Sequence, residues 1–245
     1  MTPVIEVRNL SFQYEDGTQA LQDVNFTLNP GETVALFGAN GSGKTTFVLQ
    51  LNGILQGQGS VTICGMPLSK DTLQQIRAKI GMVFQDADEQ LFMPTVLEDV
   101  AFGPLNQDFT QQDAVARAKR ALAQAGMCNA LEKAPYHLSA GEKRRVALAG
   151  VLAMEPEILV LDEPTTFLDP PAQRNLVKLL KSLPQAKLIV THNTRFASAL
   201  ASRAVFFEKG RLVADGTVEE IVQRYDWAYS PLEETDLRYS AQRRF

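Results

Sequence analysis

Gly38-Ala-Asn-Gly-Ser-Gly-Lys-Thr45 is the stretch on which the reading of this chain turns. It fits G-x-x-x-x-G-K-[ST] without exception. It follows the short apolar run Thr33-Val-Ala-Leu-Phe37 and precedes Thr45-Thr-Phe-Val-Leu-Gln-Leu51, an apolar-faced helix pattern. Strand, glycine-rich turn and helix in that order let backbone N–H groups curl around phosphate oxygens, with the positive end of the helix behind them. Gly38, Ala39, Asn40, Gly41, Ser42, Gly43, Lys44, Thr45 and Thr46 are therefore candidate nucleotide-binding residues. Lys44 is expected to bridge the β- and γ-phosphates, and Thr45 to ligate Mg²⁺.

A second run supplies the acids that such a loop needs. Ile158-Leu-Val-Leu-Asp-Glu163 puts two carboxylates at the end of an apolar strand, where open α/β sheets bind their ligands. Asp162 suits water-mediated Mg²⁺ binding, which leaves Glu163 to polarise an attacking water. Lys187-Leu-Ile-Val-Thr191 is a third run of the same kind. Short continuous apolar runs suit parallel strands covered on both faces by helices.

Outside this core the pattern changes. Val4–Leu10 and Ala20–Leu28 alternate apolar with polar residues and predict antiparallel strands, joined across the turn Glu15-Asp-Gly17. Val205–Val213 predicts a hairpin turning at Lys209-Gly210. Gly81 to Met154 is mostly helical, with a capping box expected at Thr110–Asp113 and a strong helix over Ala140–Met154. The fold class is thus α/β: a phosphate-loop NTPase (RecA-like) core over about 1–85 and 155–225, an N-terminal antiparallel β subdomain and an inserted helical subdomain over about 86–154. One nucleotide-binding domain is expected over 1–230, followed by a tail over 231–245.

Composition narrows the class further. With 245 residues, 45% hydrophobic and 21% charged, the chain reads as a globular protein, and its net charge of −4 gives no general reason to expect nucleic-acid binding. Cys64 and Cys128 have no paired spacing, which argues against a disulfide framework or a cysteine metal site. No apolar run reaches the roughly 18–20 residues of a membrane helix, and the N-terminus lacks a signal-peptide layout. A cytoplasmic protein is expected, with any membrane role supplied by a partner.

His137-Leu-Ser-Ala-Gly-Glu-Lys-Arg-Arg145 is harder to place. Ser139 and Glu142 have capping-box spacing, yet Gly141 is a poor helix former. Lys143, Arg144 and Arg145 crowd the end of the helix that favours negative charge.

Leu138-Ser-Ala-Gly-Glu142 resembles the LSGGQ signature of ATP-binding-cassette proteins, and other marks of that family follow in order. Tyr14 matches the aromatic that stacks on adenine, Gln85 the Q-loop glutamine, Thr166-Phe-Leu-Asp169 the D-loop with its Asp169, and His192 the switch histidine. His137, beside Tyr136, is read as structural. The resemblance implies an ATPase that uses ATP and Mg²⁺, with Thr45, Gln85 and Asp162 around the metal and Glu163, His192 and Gln85 in catalysis. It also implies a head-to-tail dimer, homodimeric or heterodimeric, in which Ser139, Ala140, Gly141 and Glu142 act in trans on the partner's ATP. On that reading the three cations face the partner's nucleotide, or neutralise Glu142.

A narrower resemblance covers Asp86-Ala-Asp-Glu-Gln-Leu-Phe-Met-Pro-Thr-Val-Leu-Glu-Asp-Val-Ala-Phe-Gly-Pro104 and Arg145–Pro156, which are similar to energy-coupling-factor transporters, especially cobalt and nickel ATPases. It implies docking on membrane-embedded subunits at the cytoplasmic face of a bacterial or archaeal membrane. Vitamin uptake through a shared module and a soluble iron–sulfur-assembly ATPase are the alternatives. The chain departs from the signature at Ala140 and Glu142, and from the common D-loop at Thr166-Phe167.

Overall fold

The computed structural model describes residues 2–227, so the expected tail over 231–245 lies outside the described residues. Ile5–Gln13 (β1) and Gln19–Leu28 (β2) pair antiparallel, with Ile5 opposite Leu28, as their alternation predicts. Thr33–Gly38 (β3) and Lys44–Leu51 (α1) follow, and the chain returns to the first sheet through Gln58–Ile63 (β4) and Met66–Pro67 (β5). That sheet has the order β2-β1-β4-β5. Leu73–Lys79 (α2) and Ile80–Val83 (β6) lead into Val96–Leu105 (α3), Gln111–Gln124 (α4) and Ala140–Ala153 (α5). Ile158–Asp162 (β7), Pro170–Ser182 (α6), Ala186–Val190 (β8) and Thr194–Leu200 (α7) alternate strand with helix. The hairpin Arg203–Glu208 (β9) and Arg211–Thr217 (β10) precedes Val218–Arg224 (α8).

The second sheet has the order β10-β9-β3-β8-β7-β6, parallel except for the β9–β10 hairpin. Its inner strands β3 and β7 are nearly continuously apolar because each face lies against a different core. In β3, Val34 and Leu36 join the core shared with the first sheet and α1, while Ala35 and Phe37 join the core under α7 and α8. In β7, Ile158 and Val160 face the first core, and Leu159 and Leu161 face the one beneath the helices between β6 and β7. Successive residues point to opposite faces, so two-sided cover demands an unbroken apolar run. The same geometry brings the C-terminal ends of β3 and β7 to one edge, which puts the phosphate loop beside the two acids.

The helices between β6 and β7 share their core with the sheet. Val96 and Val100 of α3, Ala118 and Leu122 of α4, and Val146 of α5 pack in one cluster with Leu159, Leu161 and Ile189. Contact between α5 and β6 is close at Gly81, where a Cβ would come within 2.3 Å of Val151 Cγ1. One expected cap forms differently. Thr110 Oγ1 accepts from Asp113 N, but Asp113 accepts from the Thr110 hydroxyl (2.7 Å) instead of its backbone N–H. Aspartate is one methylene shorter than the glutamate that completes the same box at Thr95–Glu98 and Ser139–Glu142.

Candidate functional site

Gly43 starts α1 in a left-handed conformation (φ 103°), and a Cβ there would lie 2.5 Å from the Ala20 carbonyl oxygen. Backbone and space both demand glycine at this position. The start of α1 has no side-chain cap and no acid in its first turn, so its N–H groups are free to serve an anion. Ala39, Asn40 and Gly41 are exposed along the loop. Ser42 is buried, and its Oγ has no hydrogen-bond partner among the described residues. Lys44 Nζ folds over the loop, donating to the carbonyls of Gly38 (2.7 Å) and Ala39 (2.9 Å). Burial lowers its pKa, against the pull of Glu163 and Asp162. Thr46 Oγ1 is 2.9 Å from the hydroxyl of Tyr14, which keeps this half-exposed ring at the margin of the loop.

Asp162 closes β7 and lies against Thr45, whose Oγ1 is 3.4 Å from Asp162 Oδ2. A hydroxyl and a carboxylate beside a phosphate loop are hard oxygen donors, and this set fits Mg²⁺. Burial raises the pKa of Asp162, and Glu163 raises it further, while Lys44, Thr45 and Arg144 oppose the shift. Glu163 takes a positive φ of 44°, a conformation that costs a non-glycine residue about 1–3 kcal/mol and persists where the surroundings impose it. Its Oε2 accepts from His192 N at 3.3 Å. Oε1 is 3.2 Å from His192 Nε2 but out of line for a hydrogen bond, so it is buried without a partner. Burial raises the pKa of Glu163 and lowers that of His192, so burial disfavours the charged form of both partners in this contact. His192 Nε2 also lies 3.2 Å from Asn40 Oδ1. That link between switch and loop had no signal in the sequence.

Asn40, Lys44, Thr45, Gln85, Asp162, Glu163 and His192 line one cavity of about 900 Å³. Ser139, Ala140, Gly141, Glu142 and Asp169 line another, of about 610 Å³, with which the first shares no residue. Ser139 caps α5: its Oγ accepts from Glu142 N (3.3 Å), while Glu142 Oε2 accepts from Ser139 N (2.8 Å) and Oγ (2.7 Å). These two bonds from Ser139 hold the Glu142 pKa down, helped by Lys133 and Arg145. Asp169 caps α6 by accepting from Ala172 N at 2.8 Å. Phe167, beside it, is 83% exposed.

Of the three cations of α5, Arg145 acts on Glu142 as expected, but Lys143 and Arg144 do not. Lys143 pairs with Asp88 (2.6 Å), and Arg144 is buried, donating to the carbonyls of Phe84 (2.8 Å) and Gln85 (2.6 Å). Neither is free to neutralise Glu142 or to meet a second chain's nucleotide. A signal for this was present. Arg144, Ala147, Leu148 and Val151 fall at i, i+3, i+4 and i+7, the spacing of a buried helical face.

Comparison with known proteins agrees with this geometry. Residues 21–166 match the family described as ABC transporter. An energy-coupling-factor transporter ATP-binding protein, EcfA of Methanothermobacter thermautotrophicus, is 47% identical over 89% of this chain and 72% of its own length. The structure of CbiO1 from Clostridium perfringens, part of the ABC transporter complex CbiONQ, is 35% identical, with a TM-score of 0.82 over 92% of this chain and 93% of that one. The dimeric structure of the bacterial ABC transporter cassette MJ0796 is 30% identical, with a TM-score of 0.79 over 87% of this chain and 98% of that one. The chain belongs to the ABC transporter family, as an ATP-binding subunit with the ATPase fold and activity of that family. Cassettes of this kind dimerise. Among the described residues no helix is long and apolar enough to cross a membrane.

Proposed function

We propose that this chain is the ATP-hydrolysing subunit of an energy-coupling-factor importer, acting as a dimer on the cytoplasmic face of a membrane. The single observation that carries the dimeric reading is the split between the two cavities. Lys44, Glu163 and His192 line one and Ser139–Glu142 the other, so a complete site needs the signature helix of a second cassette. Lys44 and the open start of α1 bind the phosphates, and Tyr14 stacks on the adenine. Thr45, Gln85 and Asp162 would hold Mg²⁺, which would supply charge neutralisation at the phosphates. Glu163 draws the proton from the attacking water. Its buried position makes it a stronger base than an exposed glutamate, and its unpartnered Oε1 is free to accept. His192 holds the water and the γ-phosphate in line, while Ser139, Ala140, Gly141 and Glu142 close the site from the partner and Asp169 stands at the interface.

Docking on membrane-embedded subunits has support in a groove of about 960 Å³ between α2, α3 and α5, where Phe92 is 63% exposed and meets Phe102 edge-on. This groove includes part of the 86–104 run whose resemblance points to importers of cobalt or nickel ions, and that resemblance is the support for the cargo. Glu163→Gln tests the catalytic part: turnover falls at least about a hundredfold while ATP still binds. Size-exclusion chromatography of this variant with ATP then reads the partner. A dimer of the one chain supports a homodimer, and a monomer points to a different second cassette. Purification of the tagged chain from its native membranes in mild detergent should bring down membrane-embedded subunits. Recovery with a soluble iron–sulfur scaffold instead would overturn the importer reading.

A further inference from the structure

Arg144 has no part in the scheme above, yet it is the most deeply buried cation in the neighbourhood of the site, at 4% exposure. It leaves α5 five residues after the cap, Ser139, and turns back beneath the Q-loop segment. Nη1 donates to the Phe84 carbonyl at 2.8 Å and Nη2 to the Gln85 carbonyl at 2.6 Å. The planar guanidinium spans two consecutive carbonyls, a fork that a lysine ammonium cannot reproduce. One residue earlier Lys143 pairs with Asp88 at 2.6 Å. Two successive residues of the signature helix thus grip residues 84–88 of the same chain. The second grip is exposed on the Asp88 side and weak. The first has its guanidinium in a buried side chain, and removing it takes a charge-assisted donor from both carbonyls at once.

The placement of the two ends gives this clasp its meaning. The start of α5 lines the cavity of about 610 Å³ that meets the partner's nucleotide, while Gln85 lines the cavity of about 900 Å³ around the chain's own. We infer that Arg144 is a positioning residue that couples the signature helix, acting in one composite site, to Gln85 in the other. A displacement of α5 when its start closes on the partner's ATP is carried by a rigid planar fork onto the backbone of Gln85, within the chain's own site. Each site thereby senses whether the other is closed, and turnover becomes cooperative in ATP. This rests on the proposed roles of Gln85 and of the signature helix in trans.

Steady-state ATPase measurements on the dimer test it, using Arg144→Met, Arg144→Lys, Gln85→Ala and the double variant Arg144→Met/Gln85→Ala. With Arg144→Met, kcat is expected to fall about tenfold and the Hill coefficient for ATP to drop toward one, with ATP affinity held within about twofold, since no group on the nucleotide is lost. In the Gln85→Ala background the same substitution should lower kcat by no more than about twofold, because Arg144 acts through Gln85. Full multiplication of the two effects overturns the inference and leaves Arg144 a support of α5 alone. Arg144→Lys keeps the buried charge and guards against a misfolded methionine variant. It should still lose at least about threefold in kcat, and wild-type rate and cooperativity in this variant would also overturn the inference. Failure of the underlying reading looks different: wild-type protein would hydrolyse ATP without cooperativity, or Gln85→Ala alone would have no effect.

Discussion

Two helices start at the two cavities, and they start in opposite ways. α1 begins at left-handed Gly43 with no side-chain cap and no acid in its first turn. α5 begins at Ser139 inside a reciprocal capping box, its first turn closed by Glu142. The open start leaves donors and helix dipole to whatever anion the loop holds, at the expense of the roughly 1 kcal/mol that a cap supplies. The capping box engages the N–H groups of Ser139 and Glu142, so an anion approaching Ser139 must displace the Glu142 carboxylate from a backbone N–H and a hydroxyl. On the proposed reading, one half-site is prepared in advance to bind ATP in a single chain, and the other stays latched until a second chain offers a better acceptor.

The comparison breaks most sharply at Lys44. Replacing it with alanine should weaken ATP binding by the isolated chain at least about a hundredfold, the loss expected for two charge-assisted bonds, as measured by calorimetry. Affinity within tenfold of wild type would mean that the helix start, without the ammonium, carries the phosphate.

A pH profile comes next in size. Glu163 must be ionised to accept a proton, and burial raises its pKa above the ordinary 4.5. The acid limb of kcat/KM should therefore lie above that value, with the rate falling about tenfold per pH unit below it. Protonation of His192 also falls on the acid side, below its usual 6.5, so both groups contribute to the acid limb. Loss of the Glu163 limb from the residual activity of Glu163→Gln separates them.

Ser139→Ala removes the latch and the trans contact together. It should cost about 1 kcal/mol of stability by thermal denaturation. ATP binding by the single chain should not change, while ATP-driven dimerisation falls. A parallel loss of monomer binding would contradict the separation of the two half-sites.

The smallest effect belongs to Glu142→Gln. A neutral amide holds Ser139 less firmly than a carboxylate and removes like charge from the approaching phosphates, so half-maximal dimerisation should need about threefold less ATP. Arg145 and Lys133 temper this charge, while Lys143 and Arg144 are engaged elsewhere. The gain should therefore persist at moderate salt, and no gain at low salt would show that the carboxylate is already silent.

Much of the molecule could be read from the sequence because its decisive features are local. The phosphate loop needs glycines where the chain turns left-handed, and strands β3, β7 and β8 need unbroken apolar runs because both of their faces are covered. Each of these is a property of a few consecutive residues. The capping box at Ser139–Glu142 was legible for the same reason, and so was the turn at Lys209-Gly210.

The edges and the long-range pairings were not legible. β4 is held by its pairing with β1, a partner more than forty residues away, and β5 by its pairing with β4, while their own alternation is weak. Asn40 meets His192 across 152 positions of sequence, which only the parallel order of β3 and β8 brings together. Arg144 is a mixed case, its burial signalled by the helical period and its carbonyl partners not signalled at all. Its place in a row of three cations suggested an exposed charge, and its place on the helical period put it inside. Sequence alone determined the fold class and the ATPase family, since each is written in contiguous motifs. Tertiary structure alone decided which charges are free and which are clasped, because burial and pairing depend on the neighbours that packing supplies.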